Sequence, residues 1–300
     1  MKTVKLIECP RDALQLFQPL ISTNKKIEYY QALLKVGFDT LDCGSFISPN
    51  IISQMADTAD VITNLDCSNS NTKLLTIVAN LRGAQTAVKF KKIKYLGYPL
   101  SISEYFQVRN TGRTIKESVT NLKEIIKLTC ENEKEVIIYL SMGFGNPYGD
   151  PWSSSIILEW VDMLANMGIR IISLSDTLGT AKIQDITYLF DTLITKHPGL
   201  EFGAHFYTHP KNWYDKVNAA FNAGCKRFEG TIKGMGSCPM AKNKLTGNVP
   251  TEKLISYFTS LKKLPKSTTL KIAAVTRSTH TLIQICMRTH IRQSVAGQID

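Results

Sequence analysis

Val4-Lys-Leu-Ile-Glu-Cys-Pro10-Arg11-Asp12-Ala-Leu-Gln15 is an apolar strand, Val4 to Glu8, that ends on an adjacent arginine and aspartate. A cation and a carboxylate at the tip of a buried strand set an anion-holding group beside a metal ligand or base, and the cost of keeping such charges together suggests a purpose. The competing reading is an Arg-Asp dipeptide in a loop. No glycine-rich fingerprint follows this first strand, which speaks against a dinucleotide-binding doubly wound sheet.

Outward from that stretch, short β-rich runs alternate with amphipathic ones, the pattern of repeated βα units over a parallel sheet. Candidate strands are Val4 to Glu8, Thr40 to Cys43, Lys73 to Val78, Ile93 to Tyr98, Glu135 to Ser141, Ile169 to Leu174, Glu201 to Phe206 and Arg227 to Thr231. The first helix has Asn24 as its N-cap, apolar Ile27, Tyr30, Leu33 and Leu34 at helical spacing, and Gly37 as its stop. Further helices are expected at 50–63, 82–90, 114–129, 153–167, 180–196, 211–223 and 251–261. Eight strands each followed by a helix predict an α/β fold, a closed (β/α)8 TIM barrel, for which about 250 residues suffice. Residues 1–263 are read as the catalytic barrel. Residues 264–300 carry no acidic residue before Asp300 and are read as a C-terminal extension, helical or poorly ordered.

The 300 residues carry a formal net charge of +11, but lysine and arginine are spread rather than clustered, and no nucleic-acid-binding motif accompanies them. A nucleic-acid partner is therefore not expected. Neither is a membrane: no run of about eighteen apolar residues occurs, and the start runs straight into a strand without a secretory signal. Seven cysteines without a C-x-x-C pair suggest a reduced, cytoplasmic protein. Cys9, Cys43, Cys130 and Cys225 are read as small apolar fillers.

A barrel carries its active site at the C-terminal rim, so the polar residues past each strand are the candidates. They are Arg11 and Asp12 after strand one, Asp42 and Ser45 after strand two, and Ser141 and Asn146 after strand five. Strand six adds Ser173, Ser175, Asp176 and Thr177; strand seven adds His205, Tyr207 and His209. Strand eight leads to Gly234-Met-Gly-Ser-Cys238-Pro and then Gly247-Asn248. Alternate residues of a strand share a face, so His205 and Tyr207 point into the mouth while Phe206 packs outward. Asp12, His205 and Asn248 offer a mostly hard donor set suited to Mg²⁺ or Mn²⁺. For His205 alone, a hydrogen-bonded core histidine is an equal alternative. Cys238 is either a proton carrier on a mobile loop or a bystander.

Several separated motifs resemble the 3-hydroxy-3-methylglutaryl-CoA lyases, a family within the metal-dependent lyase and acyl-transferase TIM barrels. They are Pro10-Arg11-Asp12-Ala-Leu-Gln15, Ser45-Phe-Ile-Ser-Pro49 with Gln54-Met-Ala-Asp57, Ser173-Leu-Ser-Asp176-Thr-Leu-Gly179, and Gly234-Met-Gly-Ser-Cys238-Pro with Gly247-Asn248. The resemblance implies retro-Claisen cleavage of 3-hydroxy-3-methylglutaryl-CoA to acetyl-CoA and acetoacetate, as in leucine degradation, with Mg²⁺ or Mn²⁺. It implies that Arg11 stabilises the thioester enolate, that Asp12 and His205 bind metal and handle protons, that Asn248 is a further ligand and that Cys238 protonates the enolate carbon. Gln15, Ser45, Ser141, Asn146, Asp176 and Thr177 are expected, with Arg11, along the acyl-CoA, and the assembly is expected to be a homodimer.

Two positions depart from the family pattern. A His-x-His pair is replaced by His205-Phe-Tyr207, so water fills the second imidazole's place, Tyr207 ligates weakly, His209 swings in, or metal binding is impaired. Asp42 stands where the family usually has glutamate and is read as a catalytic carboxylate one methylene shorter. An acyl-CoA-binding homologue with weakened catalysis and a lyase for a related 3-hydroxy acyl-CoA are the alternatives.

Overall fold

The computed structural model describes residues 3–15, 17–209, 211–236, 246–264 and 266–278. Its strands are β1 (Lys5–Glu8), β2 (Thr40–Ser45), β3 (Lys73–Ile77), β4 (Ile93–Ser101), β5 (Glu135–Ser141), β6 (Ile171–Asp176), β7 (Glu201–Thr208) and β8 (Arg227–Gly230). They pair in parallel in sequence order, and β8 returns to β1 with Ile7 opposite Glu229, which closes an eight-stranded barrel. A two-residue strand β9 (Gly247–Asn248) pairs antiparallel with the end of β7, setting Asn248 opposite Tyr207. The expected TIM barrel is therefore the observed fold.

The helices are α1 (Pro10–Leu14), α2 (Thr23–Leu34), α3 (Thr58–Asn64), α4 (Leu81–Ala87), α5 (Glu104–Thr111), α6 (Ile115–Glu131), α7 (Ser154–Asn166), α8 (Ile183–Lys196), α9 (Trp213–Asn222), α10 (Thr251–Ser260) and α11 (Lys266–Ser278). Helix α6 starts on a full capping box, with Thr114 accepting from the Glu117 amide and the Glu117 carboxylate accepting from the Thr114 amide. Such a cap contributes about 1 kcal/mol.

Several local expectations are corrected. Asn24 lies inside α2 rather than capping it, because the chain is already helical at Thr23, whose hydroxyl donates to Asp57 instead. The stretch from 50 to 63 divides into a short 3₁₀ turn, Ser53–Met55, and α3. Arg11 and Asp12 sit on the one-turn helix α1, whose first residue is Pro10, a position where the missing N–H costs nothing. Helix α5 was not anticipated; Ser103 caps it by accepting from the Phe106 amide. Cys130 is exposed: Leu122, Ile125 and Thr129 turn the inner face of α6 to the barrel, and the next residue rotates to solvent. Cys9, Cys43 and Cys225 are buried, as expected of fillers.

The inside of the barrel is layered. At the floor, Arg227 is ion-paired with Glu201 at 3.1 Å and Asp39 at 3.7 Å and lies over the Tyr95 ring. Above it, Leu75, Ile77, Ile137, Tyr139 and Ile171 form an apolar plug with Tyr95. Gly97 belongs to this layer, because a Cβ there would stand 2.6 Å from Ile77 Cδ1. On the other face of the strands, Phe206 packs against Phe144, its ring centroid 5.6 Å away, and so holds β7 with His205 and Tyr207 turned inward. Beyond the barrel, α11 packs on α10 and α2 through buried Ile272 and Val275. Among the described residues, no helix is long and apolar enough to cross a membrane.

Candidate active site

The mouth above the plug is built from the ends of β1, β2, β7, β8 and β9. Arg11 reaches from α1 to Asp42 on β2, donating from Nε at 2.9 Å and from a terminal nitrogen at 2.5 Å to the same oxygen, Oδ2. Gln15, one turn on, accepts from Arg11 at 3.0 Å and donates to Asp12 Oδ1 at 2.7 Å. Burial acts against the Arg11 charge, but Asp42 and Asp12 outweigh it, so the guanidinium stays protonated. Burial pushes the Asp42 carboxyl up to about 6 although Arg11 opposes the shift, and its second oxygen, Oδ1, is buried without a hydrogen-bond partner. Arg11 keeps 12% of its side chain open, whereas Asp42 keeps 1%.

Across the mouth, Asp12 Oδ2 accepts from the Tyr207 hydroxyl at 2.9 Å and from the Asn248 amide nitrogen at 2.8 Å. The Asn248 amide also donates to the Met235 carbonyl. Gly236 permits this closeness: its φ is +86°, and a Cβ there would lie 2.7 Å from the Asp12 carbonyl oxygen and 3.0 Å from the Asn248 amide. The His205 ring meets the Tyr207 ring edge-on, centroids 5.3 Å apart.

Below them lies a residue that the reading of strand ends missed. Glu229 on β8 is buried, 3.0 Å from His205 Nδ1, and accepts from the Ser173 hydroxyl at 2.6 Å. Burial disfavours both charges of the pair. Their mutual attraction wins, lowering the Glu229 carboxyl and raising His205. The signal was legible: Arg227 and Glu229 are two apart on a short strand, so both face inward. Glu8 was missed likewise. It accepts from Thr251 Oγ1 at 2.5 Å and from the Ile232 amide, and burial pushes its carboxyl up to about 8.

The comparisons with known proteins bear on this site. A family model described as HMGL-like matches residues 4–282. The chain belongs to the HMGL-like family. It is 29% identical over 261 residues to the mitochondrial hydroxymethylglutaryl-CoA lyase of Arabidopsis thaliana, covering 87% of this chain and 55% of that protein, so the chain spans about half of that relative's length. It is 28% identical to the 3-hydroxy-3-isohexenylglutaryl-CoA/hydroxymethylglutaryl-CoA lyase of Pseudomonas aeruginosa, covering 87% and 86%. Among solved structures, an HMG-CoA lyase from Acinetobacter baumannii in complex with coenzyme A and 3-methylmalate superposes with a TM-score of 0.85 at 25% identity, covering 95% and 91%. The hydroxymethylglutaryl-CoA lyase of Pseudomonas aeruginosa gives 0.85 at 26%.

The candidate residues fall into two groups. Arg11, Asp12, Gln15, Asp42, His205, Tyr207 and Asn248 converge at the mouth. Ser45 ends β2, where its hydroxyl accepts from the Ile47 amide and donates to the Ile77 carbonyl. Ser141 ends β5 and is buried. Three others are bound to the protein's own backbone and to Lys216. Asp176 accepts from the Thr180 and Ala181 amides and pairs with Lys216 at 2.5 Å. Thr177 Oγ1 accepts from the Met142 amide. Asn146 spans the Tyr148 amide and the Asp150 carbonyl. Cys238 lies outside the described residues.

HMGL-like enzymes generally depend on a divalent metal. The expected ligand set of Asp12, His205, Tyr207 and Asn248 does not fit one as it stands. Its single carboxylate already receives the Tyr207 and Asn248 hydrogens on the oxygen that faces them, and a neutral phenol is a poor ligand for a hard cation. Among the described residues, no group of three His, Cys, Asp or Glu side chains is arranged to hold a metal ion.

Proposed function

We propose that the protein is a carbon–carbon lyase of the hydroxymethylglutaryl-CoA type, cleaving 3-hydroxy-3-methylglutaryl-CoA to acetyl-CoA and acetoacetate. The observation that carries this reading is the Arg11–Asp42 pair beside Asp12 at the C-terminal mouth of an HMGL-like barrel. The relatives' names supply the substrate class, and the coenzyme A in the Acinetobacter structure supports an acyl-CoA at this mouth.

In the proposed reaction, the tertiary hydroxyl gives its proton to Asp12, whose Oδ1 carries one short hydrogen bond where Oδ2 carries two. The carbon–carbon bond breaks, the oxygen becomes the ketone of acetoacetate, and the bond's electron pair passes to the thioester as an enolate. Arg11, charged and fixed by Asp42, faces that negative charge; a preorganised donor of this kind is worth about 3 kcal/mol. His205, held in place by Glu229, lines the same mouth. The proton that completes acetyl-CoA is assigned to the Cys238 thiol on the resemblance.

The test is incubation of the purified protein with the thioester, with chromatography of the CoA products, in EDTA and in Mg²⁺ or Mn²⁺. Equal amounts of acetyl-CoA and acetoacetate are expected. Their absence under every condition, with substrate still bound in calorimetry, would favour the second reading, a weakened acyl-CoA-binding homologue. The isohexenylglutaryl-CoA activity in the name of the Pseudomonas relative makes a longer 3-hydroxy acyl-CoA the first alternative substrate to assay. A homodimer and a cytoplasmic setting belong to the same proposal, and the free thiols of Cys9, Cys43, Cys67, Cys130 and Cys225 support a reducing compartment.

A further inference from the structure

The carboxylate at the centre of the mouth is already served by the protein. Asp12 Oδ1 accepts from Gln15, Oδ2 accepts from both Tyr207 and Asn248, and Arg11 lies 3.7 Å from Oδ1. An ionised carboxylate has about four lone-pair sites, so Oδ2 has none to spare while both donors stay in place. A divalent cation at that oxygen would have to turn away the amide and the phenol or strip the phenol of its proton, which an ordinary tyrosine keeps to a pH of about 10.

Tyr207 is poorly placed to turn away. Its backbone is in register with Asn248, and its carbonyl lies 3.4 Å from the ammonium of buried Lys216. A Cβ on Gly179 would lie 3.0 Å from the same carbonyl, so the loop after β6 presses on this residue. Its ring is wedged edge-on against His205, which Glu229 fixes in turn. The phenol therefore belongs to the rigid end of β7.

We propose that the Tyr207 hydroxyl stands in for a cation at this mouth. It orients Asp12 in the resting site and passes its hydrogen bond to the substrate's hydroxyl oxygen as that oxygen's proton moves to Asp12, so the site works without bound Mg²⁺ or Mn²⁺. The proton balance is that of the lyase reaction above, because Tyr207 shifts a hydrogen bond and transfers no proton. The inference rests on that reading for its substrate, and its cation arm is independent of it.

The test pairs Mn²⁺ titration, followed by the electron paramagnetic resonance of the free ion, with cleavage assays on the full chain. Wild type is expected to bind Mn²⁺ at least tenfold more weakly than Tyr207→His, which turns a proton donor into a nitrogen ligand beside Asp12 and His205. Tyr207→Phe, which keeps the ring and removes the hydroxyl, frees one site on Asp12 Oδ2 without supplying a ligand, and is expected to bind Mn²⁺ more tightly than wild type but less tightly than Tyr207→His, and to lose about tenfold in kcat with a smaller change in KM. Wild-type cleavage is expected to survive EDTA. Wild-type Mn²⁺ binding as tight as that of Tyr207→His, or cleavage abolished by EDTA and restored by Mg²⁺, overturns the proposal. If Tyr207→His fails to fold by circular dichroism, wild-type Mn²⁺ binding tighter than about 0.1 mM, within the affinity range of dedicated protein cation sites, overturns it. If no thioester is cleaved under any condition, the lyase reading fails, and the Mn²⁺ comparison still decides whether the phenol excludes the cation.

Discussion

Two buried cation–carboxylate pairs stand on the same rim of this barrel and are put to different use. Lys216–Asp176, between α9 and the end of β6, is closed: Lys216 also donates to the Gly179 carbonyl, and Asp176 takes two backbone amides. Arg11–Asp42, between α1 and β2, is left open: one Asp42 oxygen has no partner, and part of Arg11 faces the mouth. A pair whose atoms are all spent holds a loop, and a pair with atoms left over is ready for a ligand.

The sharpest way to break this comparison is to remove each cation in turn. Arg11→Gln is expected to lower kcat for thioester cleavage by about 10²- to 10³-fold, because the enolate loses its fixed charge. Its melting temperature should stay near that of wild type, since Asp42, already at about 6, can take a proton when its partner is lost. Lys216→Met should do the opposite. Breaking a buried pair costs about 3–5 kcal/mol, a fall in melting temperature on the order of 10 °C, with catalysis changed much less when assayed well below the melt. Similar stability losses in the two variants, or a catalytic loss only in Lys216→Met, would sink the distinction.

A smaller effect is expected at Glu229, which touches the mouth only through His205. Glu229→Gln keeps the shape, removes the charge and should reduce kcat less than Arg11→Gln does, with Glu229→Asp recovering part of the loss. The smallest effect concerns pH. Glu8 holds its proton to about 8 in the folded chain against an ordinary 4.5, so the native state binds a proton that the unfolded chain has released. That contribution is full below pH 4.5, falls as pH rises and is gone above 8. Thermal melts should therefore show a flatter decline between pH 5 and 8 in Glu8→Gln than in wild type; parallel declines would show that Glu8 does not hold its proton.

The barrel was legible because its signals are local. Alternation within β7 placed His205 and Tyr207 inward and Phe206 outward, and the structure has them so. Asn248 was anticipated as a site residue, but not the two-residue strand that sets it against Tyr207, since pairing between positions 207 and 248 leaves no local mark. Asp176 and Thr177 looked like ligand groups for the same reason that Arg11 did: they are polar and follow a strand. What separates them is, for Asp176, a lysine forty residues away and the amides of the next turn and, for Thr177, the Met142 amide after β5, which no spacing rule reveals. Asp12 was legible as a carboxylate at the mouth, but its saturation by Gln15, Tyr207 and Asn248 belongs to the tertiary structure alone.

The most direct test of the open pair as a catalytic centre is a side-by-side assay of wild type and Arg11→Gln with 3-hydroxy-3-methylglutaryl-CoA, following acetyl-CoA and acetoacetate together. Equimolar products from wild type and a rate at least about a hundredfold lower from a folded Arg11→Gln protein are predicted. Equal rates from the two proteins, or a wild-type protein that binds the thioester and returns it uncleaved, would contradict it.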